Sequence, residues 1–145
     1  MMKTSLYSIY IILLFTISVL AQESNTIKTE VLAKTSYSWD GSELISYGEG
    51  KPEITILKIT IPPKAKLPEH KHPVINAGVL LKGELTVVTD EGKTLHLKAG
   101  DSIVEVVNKW HYGENEGNVP AEIIVFYAGT VGEPITVKED ASTNN

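Results

Sequence analysis

The stretch Leu67–Gly83, LPEHKHPVINAGVLLKG, places two of the chain's four histidines on either side of one lysine, where a β-strand pattern begins. Residues i and i+2 of a strand point to the same face, so His70 and His72 should project together. Asn76 shares that face if the strand stays regular. Two neighbouring imidazoles can bind one divalent metal such as Fe, Mn, Zn, Ni or Cu. By itself, however, the pattern also fits two surface histidines on an edge strand.

Short strands separated by turns account for most of the remaining chain. The predicted strands lie at residues 53–61, 77–81, 84–89, 94–98, 102–107, 121–128 and 135–137. Residues 108–118, rich in Gly and Asn, are predicted to be a loop. No amphipathic helical period is present after residue 21, so the pattern predicts an all-β sandwich or barrel. The residues expected in its core are Val79, Leu81, Val87 and Ile124.

The N-terminus has the pattern of a secretory signal peptide over residues 1–21. Lys3 precedes an apolar run from Leu6 to Ala21, and small residues stand before the expected cleavage at Gln22. An uncleaved membrane anchor is the alternative, although the run is short for a bilayer span. The sequence therefore predicts an exported protein, periplasmic or extracellular. Residues 22–52 are expected to pack on a β domain at 53–137, and 138–145 to form a disordered tail.

Composition narrows the function classes. The 145 residues suit one domain, the net charge is −5, and the chain contains no arginine. An acidic chain without arginine is a poor candidate for binding nucleic acid. Because there is no cysteine, any metal site must use histidine, carboxylate or amide ligands.

The other two histidines differ in context. His111 lies far along the chain in Asn108–Asn115, NKWHYGEN, at the end of a different predicted strand. A sandwich can bring it opposite the first pair, but the spacing alone does not prove this. His96 stands in mid-strand between two leucines and has the pattern of an ordinary solvent-facing histidine.

The first histidine motif resembles that of the cupins, small jelly-roll proteins. The cupin motif runs His, one residue, His, three or four residues, Glu, six residues, Gly. This chain has His70, His72, Asn76 and Gly83 at the corresponding positions. The Glu position is therefore occupied by Asn.

The second cupin motif runs Gly, five residues, Pro, one residue, Gly, two residues, His, three residues, Asn. The corresponding residues here are Gly100, Val106, Asn108, His111 and Asn115. Three of the five positions agree, and Val106 and Asn108 replace Pro and Gly. The resemblance covers residues 53–129.

The resemblance implies a double-stranded β-helix whose mouth holds a metal, with His70, His72 and His111 as its ligands. Asn76 offers only a neutral carbonyl oxygen, a weaker donor than carboxylate. Three neutral imidazoles would leave the metal its full charge and open positions. Some three-histidine cupins are iron-dependent oxygenases, and others with an incomplete ligand set have lost the metal.

Glu105 is the acid that can replace the missing carboxylate. In the apolar run Ser102–Val107 it either faces solvent on a half-exposed strand or points inward beside the metal, as ligand, neighbouring partner or proton acceptor. The remaining candidates, Trp110 and Tyr112, flank His111 and either line the pocket mouth or pack against the barrel.

Three functions stay open on this reading. The first is a metal-dependent oxygenase, or dioxygenase, acting on a small organic molecule. The second is a non-catalytic module that binds a small ligand or a metal. The third is a Lewis-acid isomerase or lyase, with Glu105 as the proton-transfer group. Cupins commonly dimerise, and an exposed sheet edge gives a physical motive for a homodimer.

Overall fold

The computed structural model describes residues 26–139, and within that range the protein contains strands and no helix. The all-β prediction is confirmed. The predicted signal peptide and residues 140–145 of the predicted tail lie outside the described residues. The strands are β1 (Pro52–Ile61), β2 (His70–Lys71), β3 (Ile75–Lys82), β4 (Glu84–Thr89), β5 (Thr94–Lys98), β6 (Ser102–Val104), β7 (His111–Glu114), β8 (Ala121–Thr130) and β9 (Val137–Lys138).

The nine strands form two antiparallel sheets that face each other. One has the order β1-β8-β3-β6 and the other β5-β4-β7-β2-β9. Burial alternates residue by residue along β3, β4 and β8, as expected for strands with one face on a core. The core between the sheets comprises Ile61, Val74, Leu80, Leu85, Val87, Leu97, Ile103, Ala121, Ile123, Val125 and Tyr127. None of residues 26–139 belongs to a helix long and apolar enough to cross a membrane.

The core prediction is right for Val87 and wrong for its companions. Leu81 is 48% exposed. Val79 and Ile124 pair with each other across β3 and β8 and are only partly buried. The inward face of β3 instead carries Asn76 and Leu80. The side chains of β3 that point inward are therefore those on the same face as the histidines, and the more hydrophobic alternate positions point outward.

Several strand limits differ from the prediction. The strand expected over 102–107 ends at Val104, and the expected loop 108–118 contains β7. The last strand lies at Val137–Lys138 instead of 135–137, so Lys138 belongs to the sheet and not to the tail. The region around the first two histidines is also less regular than predicted, because His72 lies beyond β2 and pairs with Val107 in an isolated bridge.

The described part of the N-terminal extension contacts the barrel beside β6. The Trp39 backbone N–H donates a hydrogen bond to the Val104 carbonyl at 2.9 Å. The Ser38 hydroxyl donates to the Glu105 carbonyl at 2.8 Å. These bonds anchor the backbone that carries Glu105.

Candidate metal centre

Three histidines converge at one end of the space between the sheets. His70 in β2 pairs directly with His111 in β7, and His72 follows β2. Their ring centroids are 4.6–5.1 Å apart. One nitrogen from each ring lies within 4.8 Å of the other two. The structure thus brings His111 to the His-x-His pair, a contact that spacing alone does not prove.

Backbone carbonyls orient all three imidazoles. In each ring Nδ1 lies at hydrogen-bond distance from a carbonyl oxygen: His70 with Pro68 at 2.7 Å, His72 with Ile135 at 2.8 Å and His111 with Lys109 at 2.9 Å. A carbonyl oxygen only accepts, so Nδ1 must carry the proton and donate it. Nε2 is then the nitrogen with a free lone pair. This is the arrangement by which metal-binding histidines are held in one tautomer.

Burial keeps the three rings uncharged. Loss of hydration lowers the pKa of His70 and of His111, and it lowers the pKa of His72 to about 4. His72 and His111 are 4% and 2% exposed. At neutral pH all three imidazoles are therefore neutral, the form that ligates a metal.

Glu105 points inward, so the solvent-facing alternative is wrong. Its carboxylate oxygen Oε2 lies 3.7 Å from His111 Nε2. Burial raises the pKa of Glu105 to about 7. Glu105 lies two residues after the buried Ile103, and the alternation of burial is broken only after it, where Val106 is also buried.

Unpartnered polar atoms are concentrated at this centre. Among the described residues, four buried side-chain polar atoms have no hydrogen-bond partner, and three of them are Asn76 Oδ1, Glu105 Oε2 and His111 Nε2. The fourth is Trp39 Nε1. Such orphaned groups are rare in native proteins and call for an explanation. A divalent metal with nitrogen and oxygen ligands fits this donor set.

The cavity beside the histidines is small and apolar, with a volume of about 50 Å³. Besides the histidines and Glu105, its lining consists of Ile59, Ile61, Leu67, Leu85, Val87, Gly113, Ile123, Val125 and Tyr127. None of these described lining residues is a lysine. The site therefore offers an anionic ligand no side-chain countercharge.

Of the two alternatives for Trp110 and Tyr112, the structure favours packing outside the cavity. Neither residue contributes to the cavity wall. Each is one position away from His111, so strand alternation turns both rings to the outer face. There the Lys71 ammonium lies over the Trp110 ring and the Lys66 ammonium over the Tyr112 ring, at 4.9 and 3.4 Å from the centroids.

Tyr127 is a site residue that the sequence analysis missed. It pairs with Asn76 across β3 and β8, and its ring centroid lies 5.3 Å from that of His72. Burial, together with the Glu105 carboxylate, raises the pKa of Tyr127 to about 12, so its hydroxyl stays protonated. A tyrosine within the apolar run of β8 was the available signal.

The motif residues that are not ligands shape the backbone around the site. Asn108 replaces the second-motif Gly and has φ 57, a conformation that Asn tolerates better than most residues. The buried Asn115 amide donates to the carbonyls of Ile61, Pro62 and Val119. Asn115 thereby fixes the end of the strand that begins with His111.

The fourth histidine lies elsewhere. His96 is exposed on the outer face and bonds to the Thr86 hydroxyl at 3.0 Å. A depression of about 430 Å³ adjoins it, larger than the histidine cavity. None of the four orphaned buried atoms lies in that depression. The smaller cavity, beside the three histidines, is therefore the one that has unpartnered polar atoms able to bind a ligand.

Comparisons with known proteins agree on the fold. Residues 57–127 match the family model of the cupin domain. No curated protein matches the chain with significant similarity.

Three solved structures illustrate the likeness. The DMSP lyase DddQ from Ruegeria pomeroyi superposes with a TM-score of 0.55 at 17% identity, over 72% of this chain and 49% of the lyase. A Klebsiella pneumoniae protein with a double-stranded β-helix domain gives 0.51 at 20% identity, over 66% and 90%. A Bacillus subtilis oxalate decarboxylase with Mn(II) centres gives 0.51 at 24% identity, over 59% and 23%.

These identities establish the fold and not an activity, and this chain spans less than half of the lyase and about a quarter of the decarboxylase. The two named activities also differ from each other. Three observations agree with one another: the family match, the two-sheet barrel and the three convergent histidines. All three are typical of the cupin fold. Residues 57–127 of this chain are therefore a cupin domain.

Proposed function

We propose that this protein binds one divalent transition metal through His70, His72 and His111 and acts there on a small, uncharged organic molecule as an oxygenase. The observation that carries the proposal is the common orientation of the three imidazoles, each with Nδ1 bonded to a backbone carbonyl. Imidazole nitrogens favour Fe, Mn, Zn, Ni or Cu over Ca or Mg.

The cavity supports the choice of ligand class. A volume of about 50 Å³ admits a few water-sized groups, since one water needs roughly 10–15 Å³ measured in this way. Apolar walls exclude water and favour an uncharged molecule. When bound, the metal supplies a Lewis acid, and Fe or Mn adds redox chemistry. The protein's own part is to orient the imidazoles and to keep the Tyr127 hydroxyl protonated beside them.

Metal content is the first test. Purified protein is loaded with Fe, Mn, Zn, Ni and Cu in turn, and bound metal is measured by mass spectrometry. We expect close to one equivalent in the wild type, loss in His111→Ala, and retention in the control His96→Ala, whose imidazole lies outside the site. A folded wild type that retains none of the five metals would refute the proposal.

Oxygen consumption distinguishes an oxygenase from an isomerase or lyase. We expect the iron- or manganese-loaded protein to consume oxygen with small neutral substrates, because the cavity wall is mainly apolar. Substrate turnover without oxygen uptake would favour the isomerase or lyase alternative. That alternative is supported by the position of Glu105, a carboxylate 3.7 Å from His111 Nε2.

Export is a further part of the proposal, and it rests on the sequence of residues 1–21. The positive start and apolar run are typical of a cleaved signal peptide. The test is the mass of the protein isolated from the periplasm or medium of the cells that produce it. We expect a mature N-terminus at Gln22, and a full-length product retained in the cytoplasm would contradict this.

A further inference from the structure

We infer that Glu105 is the fourth protein ligand of the metal, and that it supplies from a neighbouring strand position the carboxylate that Asn76 lacks. This inference rests on the proposed three-histidine metal site. It assigns a defined role to an acid outside both sequence motifs.

Backbone pairing places Glu105 opposite the motif position that it replaces. Strands β3 and β6 pair in antiparallel register with Ala77 opposite Val104. One step further, the Glu105 backbone N–H donates to the Asn76 carbonyl at 3.1 Å. Both side chains are buried, Asn76 being 1% exposed. A carboxylate at position 105 therefore reaches the same inner face as one at position 76.

Distances agree with ligation by both Glu105 and His111. Their atoms Oε2 and Nε2 are 3.7 Å apart, and neither has a hydrogen-bond partner. Two ligand atoms about 2.1 Å from one metal lie roughly 3.0–3.4 Å apart in octahedral or tetrahedral geometry. Glu105 is not within 4.8 Å of all three imidazole nitrogens, so its side chain would move closer to them on binding one shared ion. The Glu105 charge also interacts with His70, the second imidazole it faces.

Neighbouring groups satisfy only part of the Glu105 carboxylate, which accepts a hydrogen bond from the Val106 backbone N–H and interacts with His70. Its backbone is held on both sides, since its N–H bonds to Asn76 and its carbonyl accepts from the Ser38 hydroxyl. Its Oε2 nevertheless makes no hydrogen bond. A buried carboxylate with an unpartnered oxygen is unfavourable unless it takes up a proton or a cation neutralises it. A divalent metal held by the three imidazoles is such a cation.

The test is metal affinity and ligand-field spectroscopy on Glu105→Gln. Zn²⁺ affinity is measured by chelator competition, and Co²⁺ serves as the spectroscopic probe. We expect at least tenfold weaker Zn²⁺ binding and a changed visible Co²⁺ spectrum. Asn76→Glu added to Glu105→Gln should restore the affinity, because it returns a carboxylate to the same face. The control Glu84→Gln removes an exposed negative charge and should alter neither readout.

The outcomes separate this inference from the proposed function. If the wild type binds no metal, the three-histidine proposal fails. If it binds one equivalent and Glu105→Gln matches it in affinity and spectrum, only the fourth ligand is refuted. Weaker binding with an unchanged Co²⁺ spectrum also refutes it, since Glu105 then acts without coordinating. Should Glu105→Gln fail to fold, Glu105→Asp decides by the same two readouts, because it keeps the carboxylate and shortens its reach.

Discussion

At the scale of single residues, the site is built from groups whose environments favour their uncharged forms. The pKa of His72 is lowered to about 4 by burial, and that of Glu105 is raised to about 7 by the same cause. In the metal-free protein these two shifts act on stability in opposite directions. Because the two effects oppose each other, a substitution that removes one of them should change how the free energy of unfolding depends on pH.

His72 stabilises the fold fully above its ordinary pKa of 6.5, and this contribution, at most about 3 kcal/mol, is lost as the pH falls to about 4. Glu105 stabilises the fold fully below 4.5, and its contribution is lost as the pH rises to about 7. We therefore expect the free energy of unfolding of Glu105→Gln to rise more steeply between pH 4.5 and 7 than that of the wild type. Urea unfolding with a chelator present measures both, and parallel pH profiles would contradict the prediction.

A second prediction concerns the ion pair between Lys109 and Asp40, next to His111. The Lys109 ammonium lies 2.7 Å from Asp40 Oδ2, and the Lys109 carbonyl accepts the His111 Nδ1–H. Burial alone would raise the pKa of Asp40, but the Lys109 hydrogen bond and charge, together with two hydrogen bonds from Ser42, outweigh burial and lower the pKa to about 2. We expect Asp40→Asn to lower the free energy of unfolding by about 1 kcal/mol at pH 7, after allowance for solvent screening.

The sign of this effect with pH follows from the lowered pKa. The contribution of Asp40 is present above 3.8 and lost as the pH falls through 2, so the difference between wild type and Asp40→Asn should shrink over that window. Glu91→Gln is the matched control, because Glu91 lies 3.5 Å from the same ammonium but is largely exposed. Equal effects of the two substitutions in urea unfolding would contradict the special role of Asp40.

At the scale of strands, the sequence pattern predicted which side chains share a face, even across the interruption between β2 and β3, but it did not predict where the strands end. The i, i+2 rule correctly placed His70, His72 and Asn76 on the inner face. The same rule left the direction of Glu105 open, because it groups Glu105 with Ile103 without showing which face of that strand is buried. A strand ends where its neighbouring strand no longer pairs with it, and the sequence of one segment does not contain that information.

The turn between β3 and β4 gives an element-scale prediction. Gly83 has φ 75, and a Cβ there would lie 2.7 Å from the Pro120 carbonyl oxygen. Gly92, in the β4–β5 turn, has φ 80 and nothing within 4 Å of its Cβ position. Both Ala substitutions incur the left-handed backbone cost of about 1–2 kcal/mol, and only Gly83→Ala adds a backbone clash. We expect Gly83→Ala to lower the free energy of unfolding, measured in urea, by about 1 kcal/mol or more beyond the loss in Gly92→Ala. Equal losses would show that the backbone of the β3–β4 turn can move to relieve the clash.

At the scale of the whole molecule, the centre depends on contacts between distant parts of the chain. His70 meets His111 because β2 and β7 are neighbours in one sheet, and the Nδ1–H of His72 is held by Ile135 near the C-terminal strand. Local periodicity predicts strands but not which strands are adjacent. The motif resemblance supplied that long-range information for His111, whereas Tyr127 and the Ile135 carbonyl lie outside both motifs and were not predicted.

Because the site joins separate strands, metal binding should stabilise the whole fold. A metal at one hundred times its dissociation constant adds about 2.7 kcal/mol to the free energy of unfolding, which corresponds to a rise in Tm of roughly 10 °C. We expect His72→Ala to abolish the rise and His96→Ala to retain it, since only His72 belongs to the cluster. Calorimetry with Zn²⁺ and with Mg²⁺ measures this, and Mg²⁺ should have little effect on a nitrogen-rich site. An equal rise in His72→Ala would mean that the metal binds outside the three histidines.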